Sequence, residues 1–190
     1  MARWQPGTRE RLQATALQLF ASHGYDQTTV AEIAAAAEVT ERTFFRHFAD
    51  KREVLFAGQD DFLAMFTGPI EAAPADTAPF DLVRLALVAS GAFFPDDRRP
   101  WSRQRQVIID ANPALGEREL GKLATLKTRL GEVLRARGVA EPAATMAAET
   151  AVTVFHLSFA QWIAADEDRP FAAIADERLE ALTRLVHPGR

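Results

Sequence analysis

Alanine fills 36 of the 190 positions, and the apolar residues between the alanines recur three and four apart rather than at every second position. Alanine loses no side-chain entropy in a helix and favours that state more than any other residue. Spacings of three and four gather apolar side chains into one stripe of a helix, but would scatter them over both faces of a strand. The chain is therefore expected to be all-α. Its length can bury a real core, as one medium domain or as a small domain fused to a larger one. The absence of cysteine excludes a disulfide framework, a thiolate zinc site, an iron–sulfur cluster and a cysteine nucleophile, and it fits a reducing compartment.

Caps and breakers cut the sequence into roughly nine helical segments. The first spans about Thr8–Ser22, with Leu12, Ala16, Leu19, Phe20 and His23 on one face and Gly24 placed to end it. Thr29-Val30-Ala31-Glu32 is a capping box opening a short second helix that carries Ile33 inward. Thr40 opens a third. Asp50, with Glu53 three residues on, caps a fourth whose face is Leu55, Gly58, Phe62 and Phe66. Gly68, Pro69, Pro74 and Pro79 make Thr67–Pro79 the clearest break, read as a connector.

Five longer patterns follow, at about Asp81–Phe94, Trp101–Ala111, Ala114–Arg137, Pro142–Ala165 and Phe171–His187. Leu120, Leu123, Leu130 and Leu134 form a stripe on the third of these. Val152, Phe155, Phe159, Trp162 and Ile163 do so on the fourth, and Leu179, Leu182 and Val186 on the fifth. Ala143–Ala165 is long enough to span a bilayer, but it is rich in alanine and contains Glu149, His156 and Gln161. It reads as a buried helix of a bundle, with no membrane partner. Met1–Pro6 lack the apolar run of a secretory signal, so the expected location is cytoplasmic.

Charge divides the chain. Residues 1–52 hold seven basic and six acidic side chains (net +1), against fifteen and twenty in the remainder (net −5). The bases of the first part cluster around the short third helix, so a polyanion should meet that end. The expected division is a smaller domain over residues 1–52 and a larger helical one over 53–190.

Thr29–Ala36 and Thr40–Phe48, joined by Ala37-Glu38-Val39, have the dimensions of a helix-turn-helix. Ile33, Val39, Phe44 and Phe48 can bury inward and lock the angle between the two helices. Thr40, Glu41, Arg42, Thr43, Phe45, Arg46 and His47 crowd the remaining surface of the third helix. Such a helix fits the major groove of double-stranded DNA, with its N-terminal residues nearest the base edges. Thr28 or Thr29 at one helix N-terminus, and Lys51 near another, are placed to hold phosphate through backbone N–H, hydroxyl or ammonium.

Thr28-Thr29-Val30-Ala31-Glu32-Ile33-Ala34, followed by the run from Val39 through Arg42-Thr43-Phe44-Phe45-Arg46-His47-Phe48 to Lys51-Arg52-Glu53-Val54-Leu55, resembles the N-terminal domain of TetR-family transcriptional regulators. The resemblance covers about Thr8–Leu55. It implies a DNA-binding head on a divergent helical body, and most members are repressors released from operator DNA by a small molecule. Glu41, Arg42 and Thr43 match the family's base-proximal positions, and His47 and Lys51 its phosphate contacts. Phe45 stands where a tyrosine usually packs against the DNA backbone. Lacking the hydroxyl, it offers only apolar contact to a sugar or thymine methyl, or packs in the core. Glu41 either favours the helix dipole or accepts from a cytosine amino group. His47 is either a solvated ring or a phosphate ligand. Glu38 replaces the glycine common in the turn, so its backbone is either less left-handed or strained.

The resemblance further implies a homodimer paired through about residues 142–165 and 171–187, where Ala144, Ala147, Ala148 and Ala151 permit close helix approach. One short recognition helix reads too few bases, whereas two-fold pairing sets a second one roughly 34–36 Å along the duplex. Phe93, Phe94, Trp101, Phe155, Phe159 and Trp162 are either core or the lining of an apolar effector cavity. His156 and Arg103 or Arg105 are either its polar anchors or an ordinary core histidine and surface arginines. Thr43–Phe48 with Lys51–Phe56 is similar to a subgroup associated with acyl-CoA-like effectors, and no other cofactor is implied. Two rival classes fit less well. Four scattered histidines, unconverged carboxylate pairs and the lack of a phosphate loop or nucleophile elbow argue against an enzyme or a metal site. A helical adaptor binding only protein would have no need of the Thr40–Lys51 cluster.

Overall fold

α1 (Thr8–His23) stops where Gly24 takes φ 88°, a conformation that L side chains rarely adopt, while its N–H closes on the Phe20 carbonyl at 3.1 Å. The capping box forms as its residues dictate. Thr29 Oγ1 accepts from the Glu32 N–H at 3.2 Å, the Glu32 carboxylate accepts from the Thr29 N–H at 2.7 Å, and α2 (Val30–Ala36) begins. Those bonds hold the Glu32 carboxyl below the usual carboxylate range. Thr40 caps α3 (Glu41–His47) through the Thr43 N–H. The Asp50 carboxylate accepts from the Arg52 and Glu53 N–H groups at 2.8 and 3.1 Å and opens the single turn α4 (Glu53–Phe56).

The computed structural model describes residues 7–186. Arg3 and the rest of the Met1–Pro6 stretch, together with His187, lie outside the described residues. Within them the chain is all-helical: nine α-helices of seven residues or more, the one-turn α4, and 3₁₀ turns at Gly91–Phe93 and Asp96–Arg98. The longer elements are α5 (Gln59–Ala72), α6 (Pro79–Ser90), α7 (Arg99–Asp110), α8 (Pro113–Ala136), α9 (Ala143–Trp162) and α10 (Phe171–Val186). None of these described helices is long and apolar enough to cross a membrane.

Two compact units emerge. The first takes the described residues up to Gly58 together with Gln104–Glu119, so it contains α1–α4, the end of α7 and the start of α8. Leu12, Leu17, Phe20, Ile33, Phe44 and Phe48 are among its buried side chains. Phe44 is fully enclosed, with the Phe48 ring 5.4 Å away, and burial of one such ring stabilises a fold by about 1.5–3 kcal/mol. The second unit takes Gln59–Arg103 and the described residues from Leu120 on. Its core runs from Phe62, Phe66 and Ile70 of α5 through α6 and α8 to Phe155 and Trp162 of α9 and Phe171, Ile174 and Leu179 of α10.

Several local expectations give way to packing. α5 does not end at Gly68-Pro69 but runs through them to Ala72, leaving residues 73–78 as the connector. Pro69 forfeits one backbone bond, but Phe62, Phe66 and Ile70, four residues apart, are at most 1% exposed and hold the helix together across it. Conversely, the fourth helix does not continue through Gly58. Ala57 turns extended and Gly58 takes φ 83°, separating α4 from α5. Leu120 falls off its expected stripe and is 67% exposed. Ala144, Ala148 and Ala151 face their own core rather than a mate.

Glu38 resolves its alternative towards strain, for its φ is 56°. A side chain there costs about 1–2 kcal/mol, which glycine avoids at some expense in unfolded-state entropy. Glu38→Gly is expected to raise stability by about 0.5–1 kcal/mol, seen as a higher urea midpoint at unchanged slope. A lower midpoint would mean that the Glu38 side chain holds the turn through a contact of its own.

Candidate nucleic-acid interface

Phe44 anchors the inner side of α3, and this decides which residues point away. Glu41, Arg42, Phe45 and Arg46 are all exposed and lie at successive positions of one stripe. Arg42 and Arg46 make no ion pair among the described residues, so both guanidiniums remain available to an anion. Phe45 is 54% exposed, its ring edge-on to Phe44 at 5.4 Å. The alternative of core packing therefore falls away for most of that ring. Thr43 is half-buried, and its hydroxyl shares a 3.1 Å hydrogen bond with the capping hydroxyl of Thr40. Glu41 sits in the first turn, where a carboxylate favours the helix dipole.

The residues expected at phosphate divide into two kinds. Thr29 is exposed at the start of α2, whereas Thr28 is 1% exposed and donates its hydroxyl to the Gly24 carbonyl at 2.8 Å. The Lys51 ammonium donates to the carbonyls of Tyr25 and Thr28 at 2.7 and 2.9 Å and lies 4.2 Å from the centre of the Tyr25 ring. It ties down the turn between α1 and α2 with two of its three N–H bonds. Burial and the nearby Asp50 push the Tyr25 phenol up to about 12, so it stays neutral. His47 is half-buried, with its Nε2 enclosed and without a hydrogen-bond partner. The Arg52 guanidinium is paired with Asp50 at 2.7 Å.

Behind α4 stands a group of residues that sequence reasoning did not connect to the head. Arg105, 5% exposed, donates to the Leu55 carbonyl at 2.7 Å and to the Glu119 carboxylate at 2.7 Å. Arg118 pairs with Glu53 at 2.9 Å. Both guanidiniums lie over the Phe56 ring, at 4.9 and 5.0 Å from its centre. Fifty residues separate Arg105 from Leu55, and no local signal links them.

In the second unit, five of the six aromatics read as either core or cavity lining come together. Phe94 lies 5.8, 5.5 and 5.5 Å from Phe155, Phe159 and Trp162, and 4.8 Å from Phe171. Phe93 joins through Phe94 at 5.3 Å. Trp101 is half-buried and shares the Arg98 guanidinium with Phe93, at 5.3 and 4.2 Å from the two ring centres. His156 is exposed rather than core. Arg103 is half-buried, and its side chain donates to the carbonyls of Ile163 and Ala164 at the end of α9. Arg105, read as either a polar anchor or a surface arginine, is buried and belongs to the first unit.

The same unit leaves an apolar face open. Met146, Thr150, Thr153 and Leu157 follow one stripe of α9, with Met146 65% and Leu157 51% exposed. Arg178, Leu182 and Leu185 follow a matching stripe of α10, with Leu185 78% exposed. Two grooves of about 550 and 470 Å³ run along it and share Thr150 and Leu182. Among the described residues no cluster of three or more carboxylates and histidines is placed to hold a metal ion.

Comparison with known proteins adds to this geometry. The profile of bacterial regulatory proteins of the tetR family matches residues 12–57, and that of the MftR C-terminal domain matches residues 77–187. The transcriptional regulator TcmR of Streptomyces glaucescens is 43% identical over 86 residues, 45% of this chain and 35% of that protein. MftR of Mycobacterium tuberculosis, named for mycofactocin biosynthesis, is 28% identical over 102 residues, 54% of this chain and 52% of its own. The matched region thus takes in only about a third to a half of those relatives' length. Among solved structures, the fatty acid degradation regulator FadR of Bacillus halodurans superposes with a TM-score of 0.59 at 17% identity, covering 95% and 96% of the two chains. Thermus thermophilus FadR, solved with lauroyl-CoA, gives 0.54 at 22% identity, with 93% of each chain covered. These two share the fold.

Proposed function

This chain belongs to the TetR family of bacterial regulatory proteins, and we propose that it is a DNA-binding transcriptional regulator acting as a homodimeric repressor, released from a palindromic operator by a small apolar or amphipathic effector. The observation that carries the reading is the outward stripe of α3, Glu41, Arg42, Phe45 and Arg46, set by a fully buried Phe44. DNA reading is assigned to residues 1–52, and effector binding and dimerisation to 53–190, in the cytoplasm where the operator lies. Thr40, Glu41, Arg42 and Thr43 stand nearest the base edges. Phe45 contacts sugar or a thymine methyl, while Thr29, Arg46 and His47 hold phosphate, the last through Nδ1. Thr28 and Lys51 support that surface from within, with the third N–H of Lys51 left for phosphate.

The mate pairs along α9 and α10, residues 142–165 and 171–187, through the stripe of Met146, Thr150, Thr153 and Leu157. The effector enters the aromatic cluster of Phe93, Phe94, Phe155, Phe159 and Trp162, with Trp101 at its margin. An acyl-CoA-like molecule suits such a site, and the lauroyl-CoA complex of a protein with the same fold supports that class. Release is a population shift, which requires that the effector bind the DNA-free arrangement more tightly.

Sequencing the genomic fragments retained by the purified protein tests the core of this reading, with a palindrome expected. Single residues sharpen it. Arg46→Ala is expected to weaken binding about equally for all sequences and to lower the salt slope by roughly 1. Arg42→Ala is expected to cost roughly 1–3 kcal/mol on the operator and to relax preference at one base pair. An Arg42 variant with unchanged preference would move that residue to the phosphate class.

A further inference from the structure

A polar atom sealed inside a protein almost always has a partner, since an unpaired one retains the full cost of leaving water. One corner of the second unit departs from that rule three times. Ser158 and Trp162, both 0% exposed, lie one turn apart on the same face of α9, and neither Ser158 Oγ nor Trp162 Nε1 has a hydrogen-bond partner among the described residues. Arg99, 6% exposed, lies over the Trp162 ring at 5.2 Å. Its terminal nitrogens are occupied by the Glu167 and Arg169 carbonyls and by Asp96, yet its Nε is enclosed and unpartnered too.

We infer that this corner takes the carboxylate of a flat apolar molecule, an aromatic acid in place of the acyl-CoA-like class, whose thioester carries no carboxylate. That such a molecule acts as the effector rests on the proposed function of the aromatic cluster. Indole and guanidinium N–H groups can only donate, and a serine hydroxyl donates equally well, so the missing partner is an acceptor. A carboxylate offers about four lone-pair sites to several donors at once, and the Arg99 guanidinium, shared with the exposed Asp96 at 2.7 Å, offsets part of its charge. The molecule's body is apolar because Trp162 is walled by Phe94, Phe159 and Phe171 at 5.5, 6.0 and 6.4 Å. Phe94 is the ring that makes room. It lies between the two 3₁₀ turns of residues 91–98, and its own N–H is held by a bond to the Gly91 carbonyl rather than by an α-helix. An aromatic ligand replaces its edge-to-face contacts ring for ring.

The test is titration calorimetry of the full chain with 2-naphthoate, with 2-naphthylmethylammonium as the charge-reversed control. Naphthoate is expected to bind saturably and the ammonium compound is not. Ser158→Ala removes a hydroxyl without opening a cavity. It is expected to raise the melting temperature by about 2–4 °C while weakening naphthoate about tenfold. Opposite movements of stability and affinity are a signature that a packing residue does not give. A lower melting temperature would mean that the hydroxyl is satisfied within the fold. Absent or unchanged naphthoate binding would likewise overturn the assignment. Trp162→Phe, which keeps a ring and loses the N–H, should weaken naphthoate comparably. Naphthoate that binds as expected but leaves operator affinity untouched would overturn the effector reading of the cluster and leave the carboxylate site standing.

Discussion

Replacing Arg105 with alanine is expected to lower stability by roughly 3–5 kcal/mol, the largest loss foreseen for any single charged residue of this protein. The guanidinium is only 5% exposed and is spoken for on every side: the Leu55 carbonyl at the end of α4, the Glu119 carboxylate, and the face of Phe56. Truncation strands a buried carbonyl, deprives Glu119 of its buried partner and opens space beside an aromatic ring. The pairing itself is a different matter, since a buried ion pair exchanged for apolar groups of similar volume is often neutral. Arg105→Met combined with Glu119→Leu should therefore recover most of what Arg105→Ala loses. Urea denaturation of the three proteins checks this. A double variant no better than Arg105→Ala would locate the loss in the Leu55 carbonyl and Phe56 contacts rather than in the broken charge pair.

What could be read from the sequence follows how far each determinant reaches along the chain. The Thr29–Glu32 box and the Thr40 cap act within four residues, so α2 and α3 could be placed, and with them the outward positions of Arg42 and Arg46. The inward turn of Phe44 follows from the same short period. Features decided by distant partners could not be placed. Pro69 reads as a breaker until Phe62, Phe66 and Ile70 are known to share one buried face. The alanines of α9 read as a mating surface because small residues allow close approach, without saying which neighbour approaches. Arg105 reads as a cavity anchor or a surface residue because nothing near it announces Leu55 or Glu119. Lys51 reads as a phosphate ligand, and only the folded turn shows two backbone carbonyls claiming its ammonium. Of the six aromatic residues five converge through ring contacts, while Trp101 reaches them through Arg98, which also lies over Phe93.

Leu157→Glu combined with Leu185→Glu is expected to reduce operator affinity by about 10²–10⁴-fold while leaving the protomer folded. Both leucines are more than half exposed within the chain, at 51% and 78%, so carboxylates there remain solvated and cost the isolated protomer little. In a pair joined through the α9 and α10 stripes they would carry like charges into an apolar seam, where ions without partners are strongly disfavoured. The size of the effect comes from linkage. Two recognition helices on one pair of protomers make the second half-site contact intramolecular, and separating them forfeits that local concentration without touching any DNA-facing residue. Sedimentation should report the variant as a monomer, and its affinity for single half-sites should stay near that of the parent. A variant that remains dimeric with full operator affinity would place the pairing surface elsewhere and leave the exposed stripe of Met146, Thr150, Thr153 and Leu157 without its assigned occupant. Loss of half-site affinity as well would mean that the face supports α3 itself rather than the joining of two copies.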